Sequence, residues 1–138
     1  MDHFQLKNGV LHAEDIPLTK IADEVGTPVY VYSRATLARH ARVFREGLKD
    51  AGKIHLAFAV KANPNLAVLR ILANQGYGGD VVSGGELQRA LAAGMKAKDI
   101  VFSGVGKSRE ELTLGLEKGI GQFNLESEEE GEMLAEIA

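Results

Sequence analysis

Residues 54–61 read Ile54-His55-Leu56-Ala57-Phe58-Ala59-Val60-Lys61, a run apolar at all but one position and closed by a cation. A stretch so short and so apolar, running into Asn63 and Pro64, has the pattern of a strand buried on both faces. The next segment has a different period. Pro64 stands where a first helical turn begins after Asn63, Leu66, Leu69 and Leu72 share one face, and Gly76 stops the segment.

Working outward, the same alternation recurs. Further strands are expected at Asp80–Ser83, Ile100–Ser103 and Gln122–Glu126, with periodic segments between and after them. Ser108 with Glu111, and Ser127 with Glu130, fit capping boxes, in which two side chains satisfy the first free N–H groups of a helix. Gly94 and Gly119 suit left-handed C′ positions behind the helices that begin near Gly85 and at Ser108. Upstream, Ser33 is placed to cap a helix whose Leu37, Ala41, Phe44 and Leu48 form one stripe.

The pattern predicts an α/β fold with about four βα units around a parallel sheet covered on both faces. A closed (β/α)8 barrel takes roughly 250 residues. The expectation is therefore a partial barrel over residues 33–138, with the chain stopping inside a last helix that lacks a C-cap. The alternative is a small open sheet complete in itself. Residues 1–32 read as a separate β-rich segment, where Val29-Tyr30-Val31-Tyr32 is β-prone and Gly9, Pro17, Gly26 and Pro28 punctuate short pieces.

Composition narrows the function. A 138-residue chain with 45% hydrophobic and 25% charged residues is able to bury a core. Its formal charge of −3, with no basic run, argues against nucleic acid. No window has the ~18 apolar residues of a membrane span, and the first twenty residues lack a signal peptide's apolar core, so a cytosolic protein is expected. The absence of cysteine removes disulfides and thiolate chemistry. His3, His12, His40 and His55 have no spacing that gathers them around a metal.

In barrels and open sheets alike, ligands bind at the carboxyl ends of the strands, and Lys61 is at such an end. Its stem leaves apolar packing, which would partly desolvate the amine and free the lone pair that imine formation needs. Taken alone, a lysine after a strand is more often a solvated loop charge.

Three linked motifs change that reading: Phe58-Ala59-Val60-Lys61-Ala62-Asn63, Asp80-Val81-Val82-Ser83-Gly84-Gly85-Glu86-Leu87 and Val101-Phe102-Ser103-Gly104-Val105-Gly106-Lys107. In kind, order and spacing they resemble the motifs of the fold-type III pyridoxal phosphate-dependent decarboxylases. The Val-Val-Ser-Gly-Gly-Glu-Leu form is most similar to the diaminopimelate branch. The lead-in Gly26-Thr27-Pro28-Val29-Tyr30-Val31-Tyr32 extends the likeness over nearly the whole chain.

The resemblance implies that Lys61 carries pyridoxal 5′-phosphate covalently, with Asp80 and Glu86 lining the same pocket and Asn63 and Ser83 facing it. Plainer readings stay open: Asp80 as a turn cap after Gly78-Gly79, Glu86 as a first-turn charge favoured by the helix dipole, and Asn63 and Ser83 as N-caps. It further implies decarboxylation of meso-2,6-diaminopimelate to L-lysine by a homodimer. A ring-stacking histidine, a glycine-rich phosphate loop, the acid facing the pyridine nitrogen and a β-rich second domain are expected beyond Ala138, so the chain alone is expected to be inactive or nearly so.

The rivals are an ornithine, arginine or carboxynorspermidine decarboxylase, an amino-acid racemase, and a non-catalytic cofactor-binding or regulatory homologue. A nucleotide site at Gly104-Val105-Gly106-Lys107-Ser108 ranks lower, because a Walker loop needs glycine where Val101 stands. Glu128-Glu129-Glu130 reads as a solvated first turn.

Overall fold

The hairpin that opens the chain turns on Asn8 and Gly9, with φ of 52° and 78°. Two successive left-handed residues make the tight reversal whose twist matches antiparallel strands, and Asn-Gly is the pair best suited to it. In the computed structural model, which describes residues 2–138, this turn joins β1 (Phe4–Lys7) to β2 (Val10–Ala13), and β3 (Ile16–Pro17) pairs with β2 on its far side. α1 (Leu18–Val25) and α2 (Arg34–Gly47) complete a first unit that ends at Gly47. Between them the β-prone Val29–Tyr32 stretch forms no strand, and Tyr30 is 89% exposed. Propensity does not make a strand where no neighbouring backbone pairs with it.

The start of α2 is capped by two side chains. Ser33 Oγ accepts from Thr36 N at 3.0 Å, and Glu14 Oε1 accepts from Ala35 N at 2.9 Å and from the Ser33 hydroxyl at 2.8 Å. Those bonds to Ala35 and Ser33 hold the Glu14 carboxyl below its ordinary value. Glu14 reaches the helix from a backbone at φ 56°, a left-handed conformation unusual for this residue type.

The second unit, Leu48–Ala138, alternates strand and helix throughout: β4 (Ala57–Ala59), α3 (Leu66–Asn74), β5 (Gly78–Val81), α4 (Gly84–Ala92), β6 (Ile100–Phe102), α5 (Arg109–Lys118), β7 (Gln122–Phe123) and α6 (Glu128–Ile137). All strands are parallel and their spatial order is β4-β5-β6-β7. A doubly wound open sheet reverses its order at a switch point, whereas a sheet wound in one direction curls toward a (β/α)8 barrel. The four βα units are a portion of such a barrel.

The strands are shorter than the apolar runs suggest, and β5 begins before Asp80, on Gly78 and Gly79. Glycine is a poor strand former by propensity, so the sequence hides this start. Close approach explains it: a Cβ at Gly78 would collide with the Asp99 carbonyl oxygen.

Leu69, Val81, Leu87, Ile100, Phe102 and Leu112 are fully buried, and Phe102 stacks on Phe123 with ring centroids 6.1 Å apart. This is the face that the helices cover. The other face carries Ala59, Asp80, Val101 and Gln122 in register across the sheet. Ala59, Asp80 and Val101 are only half-buried and Gln122 is exposed. The expected burial on both faces is thus corrected: the helices of this unit cover one face only.

Helix starts obey the capping rules with two corrections. α3 is capped by Asn65, whose side chain accepts from Ala67 N, so Pro64 lies outside the helix. α5 has the complete box between Ser108 and Glu111 and ends on Gly119 at φ 66°. Glu111 also accepts from Gly84 N at 2.7 Å, tying the starts of α4 and α5 together. α6 has half a box: Ser127 accepts from Glu130 N, but the Glu130 carboxylate is engaged elsewhere.

Candidate functional site at the strand ends

β4 passes directly into a single 3-10 turn, Val60–Ala62. Val60 turns fully inward and Lys61 is exposed. The expected partial desolvation of the Lys61 stem is therefore corrected. The apolar packing ends at Val60, and the lysine lies outside it.

On the adjacent strand, Asp80 is the cross-strand partner of Ala59, two residues before Lys61. It caps no turn. Its Oδ1 accepts from the Ser103 hydroxyl at 2.7 Å, just past the end of β6. Ser103 Oγ accepts from Asn124 Nδ2 at 3.0 Å, and Asn124 Oδ1 accepts from Gln122 Nε2 at 2.6 Å. A polar line thus crosses three neighbouring strand ends.

The other expected site residues make local bonds. Glu86 Oε2 accepts from Val82 N at 2.9 Å, and Ser83 Oγ accepts from Glu86 N at 3.2 Å, so both shape the turn from β5 into α4. Asn63 Oδ1 accepts from Asn65 N at 3.1 Å, an Asx turn leading to the α3 cap. All three sit where the chain leaves β4 and β5.

By sequence, Lys107 closes the third family motif and falls in a weak nucleotide motif, while Glu130 is a capping-box partner of Ser127 in a solvated first turn. The structure corrects both: they form a buried pair, 4% and 6% exposed. Lys107 Nζ donates to Glu130 Oε1 at 2.6 Å, to Gly104 O at 2.7 Å and to Asn124 O at 2.8 Å, and it lies 6.0 Å from the Phe102 ring centroid. An ammonium has three protons, and all are spent. This lysine has no donor left for a phosphate. Ser103 and Asn124 are site residues that sequence reasoning misses. Ser103 leaves a signal, a polar letter closing the apolar Ile100–Phe102, whereas Asn124 follows the short Gln122–Phe123 strand and leaves none.

The donor set suits a cofactor bearing an aldehyde. Lys61 offers an accessible primary amine and Asp80, on the adjacent strand in register with Ala59, a carboxylate fixed by Ser103, both at the ligand-binding end of the sheet. Among the described residues no three His, Asp or Glu side chains are grouped to hold a metal ion, and no helix is long and apolar enough to cross a membrane.

Comparison with known proteins places this arrangement. The chain is 57% identical to the diaminopimelate decarboxylase of Zymomonas mobilis over 98% of its own length and 32% of that protein's. It is 50% identical to the enzyme of the same name from Pseudomonas aeruginosa, over 100% of this chain and 33% of that one. The crystal structure of diaminopimelate decarboxylase from M. jannaschii in complex with L-lysine superposes with a TM-score of 0.87 at 35% identity, covering 99% of this chain and 33% of that chain. The chain therefore spans about a third of the length of the curated relatives it matches. Residues 34–138 match the model of the pyridoxal-dependent decarboxylase pyridoxal-binding domain, and the chain belongs to that family.

Proposed function

We propose that this chain supplies the lysine-bearing part of a pyridoxal phosphate-dependent diaminopimelate decarboxylase, which converts meso-2,6-diaminopimelate to L-lysine and CO2. The observation that carries the reading is the exposed Lys61 in the turn that follows β4, with Asp80 on the adjacent strand in register with Ala59. The identity to proteins of that name supports the substrate.

When bound, the cofactor supplies an electron sink for the carbanion left by loss of CO2. The protein's part is nucleophile and placement. The exposed Lys61 amine would hold the cofactor covalently, where an incoming amino acid can reach it. Asp80 presents a fixed negative charge beside it. Glu86, Ser83 and Asn63 hold the β5–α4 and β4–α3 loops at the pocket's edge, contributing shape through backbone bonds. Residues 33–138 serve as the cofactor-binding part of the barrel and residues 1–32 as a lead-in associated with a β-rich domain, a division supported by the family match over 34–138. The protein works as a cytoplasmic homodimer.

The test is to add pyridoxal phosphate, reduce with borohydride and map the adduct by peptide mass. The expected result is an adduct at Lys61 that is lost in Lys61→Ala. Label scattered over surface lysines in both proteins would sink the reading.

A further inference from the structure

The donors that link Asn124, Ser103 and Asp80 all run one way. A serine hydroxyl has one proton, and Ser103 gives it to Asp80 Oδ1 at 2.7 Å. The Ser103 oxygen must then accept, and Asn124 Nδ2 donates to it at 3.0 Å. That turns the Asn124 carbonyl outward, where Gln122 Nε2 donates to it at 2.6 Å. Each orientation is forced by its neighbour, because an amide nitrogen can only donate and a carboxylate oxygen only accepts.

The backbone beneath this line is held separately. Lys107 grips Gly104 O, the residue after Ser103, and Asn124 O, while Glu130 neutralises it. One ammonium thus fixes the loop after β6 and the chain after β7 against each other. A buried ion pair adds little stability over an apolar pair of similar volume, so core filling alone does not account for a charge placed here. Holding two strand ends at a set separation does.

Resting on the reading of Asp80 as a pocket carboxylate, we infer that Ser103 and Asn124 are positioning residues of the pyridoxal phosphate site. They set the rotation of the Asp80 carboxylate beside Lys61, with the Lys107–Glu130 pair anchoring the backbone that carries them. Neither needs to touch the cofactor.

The test compares borohydride-fixed labelling of Lys61 across a pyridoxal phosphate titration and across pH, in the unaltered chain and in Ser103→Ala, Ser103→Thr and Asn124→Ala. Losing a hydrogen bond to a charged group is expected to raise the half-saturating cofactor concentration about tenfold in Ser103→Ala and to move the pH profile of labelling. Ser103→Thr, which keeps the hydroxyl, is expected to restore both to within about twofold. Asn124→Ala should give a smaller change of the same sign. In an Asp80→Ala background, Ser103→Ala should add nothing, since its effect passes through Asp80. A Ser103→Ala effect of equal size in that background, or an unmoved pH profile with normal labelling, overturns the inference alone. Absence of any Lys61 adduct in the unaltered chain overturns the site reading and the inference with it. Should Ser103→Ala fail to fold by circular dichroism, the Asn124→Ala and Ser103→Thr arms carry the same comparison, and equal labelling in both overturns it.

Discussion

Lys61 and Lys107 each come after the end of a parallel strand, yet the molecule treats them in opposite ways. Lys107 is buried, with every proton committed to Glu130, Gly104 or Asn124. Lys61 stands in a one-turn 3-10 helix, exposed, with none of those contacts. The difference teaches that a lysine is made structural or chemical by what its neighbours accept. An ammonium whose donors are all satisfied is a strut, and one left open remains a nucleophile in waiting.

The strongest way to break that comparison is to truncate both lysines. Lys107→Ala leaves Glu130 charged and buried without its partner, an expected loss of about 3–5 kcal/mol in a urea titration. Lys61→Ala should stay within about 0.5 kcal/mol of the parent, as an exposed side chain does. Similar losses in both would erase the distinction. Gly78 tests the strand that stands between the two lysine-bearing ends. Gly78→Ala drives a methyl group into the Asp99 carbonyl, backbone that cannot swing aside, and should cost about 3 kcal/mol. A thermal scan that finds it neutral would mean the loop before β6 yields freely.

Smaller effects sharpen the picture. Glu111 caps its own helix at Ser108 N and also holds Gly84 N, so Glu111→Ala removes two caps and should cost about 2 kcal/mol by denaturant midpoint. An effect no larger than that of one cap would show the bond to Gly84 to be idle. The smallest effect lies in the first unit. The Glu14 carboxyl is held below its ordinary 4.5 by Ala35 and Ser33, so protons bind the unfolded chain more readily. The stabilisation is complete above the ordinary value and is lost as pH falls through the lowered folded one. Glu14→Gln should flatten that acid limb of a stability–pH curve; an unchanged slope would remove Glu14 from the account.

Legibility in the sequence depends on the range of each interaction. The repeating βα pattern, the Ser108–Glu111 box and the Gly119 stop rest on residues a few positions apart, and local spacing reports them faithfully. Lys61 is legible because it closes an apolar run. Glu130 misleads for the complementary reason: its spacing from Ser127 fits a capping box, while the partner that captures its carboxylate lies on another loop. Ser103 and Asn124 acquire meaning only when β5, β6 and β7 lie side by side. The Asn8-Gly9 turn is readable, since the pair is itself a hairpin signal, but the apolar alternation around it is weak. Gly78-Gly79 conceals the start of β5, because the close approach that demands glycine there comes from Asp99, far along the chain.

The burial of Lys107 gives the fold a clock. An amine-reactive reagent meets exposed lysines such as Lys61 at once, whereas Lys107 reacts only when the loops after β6 and β7 part and its three acceptors let go. Where modification outpaces reclosing, its rate measures how often the strand ends open; where reclosing is faster, it measures how long they stay open. The same contacts that make this lysine chemically silent turn it into a reporter of the breathing of the strand ends that carry Ser103 and Asn124.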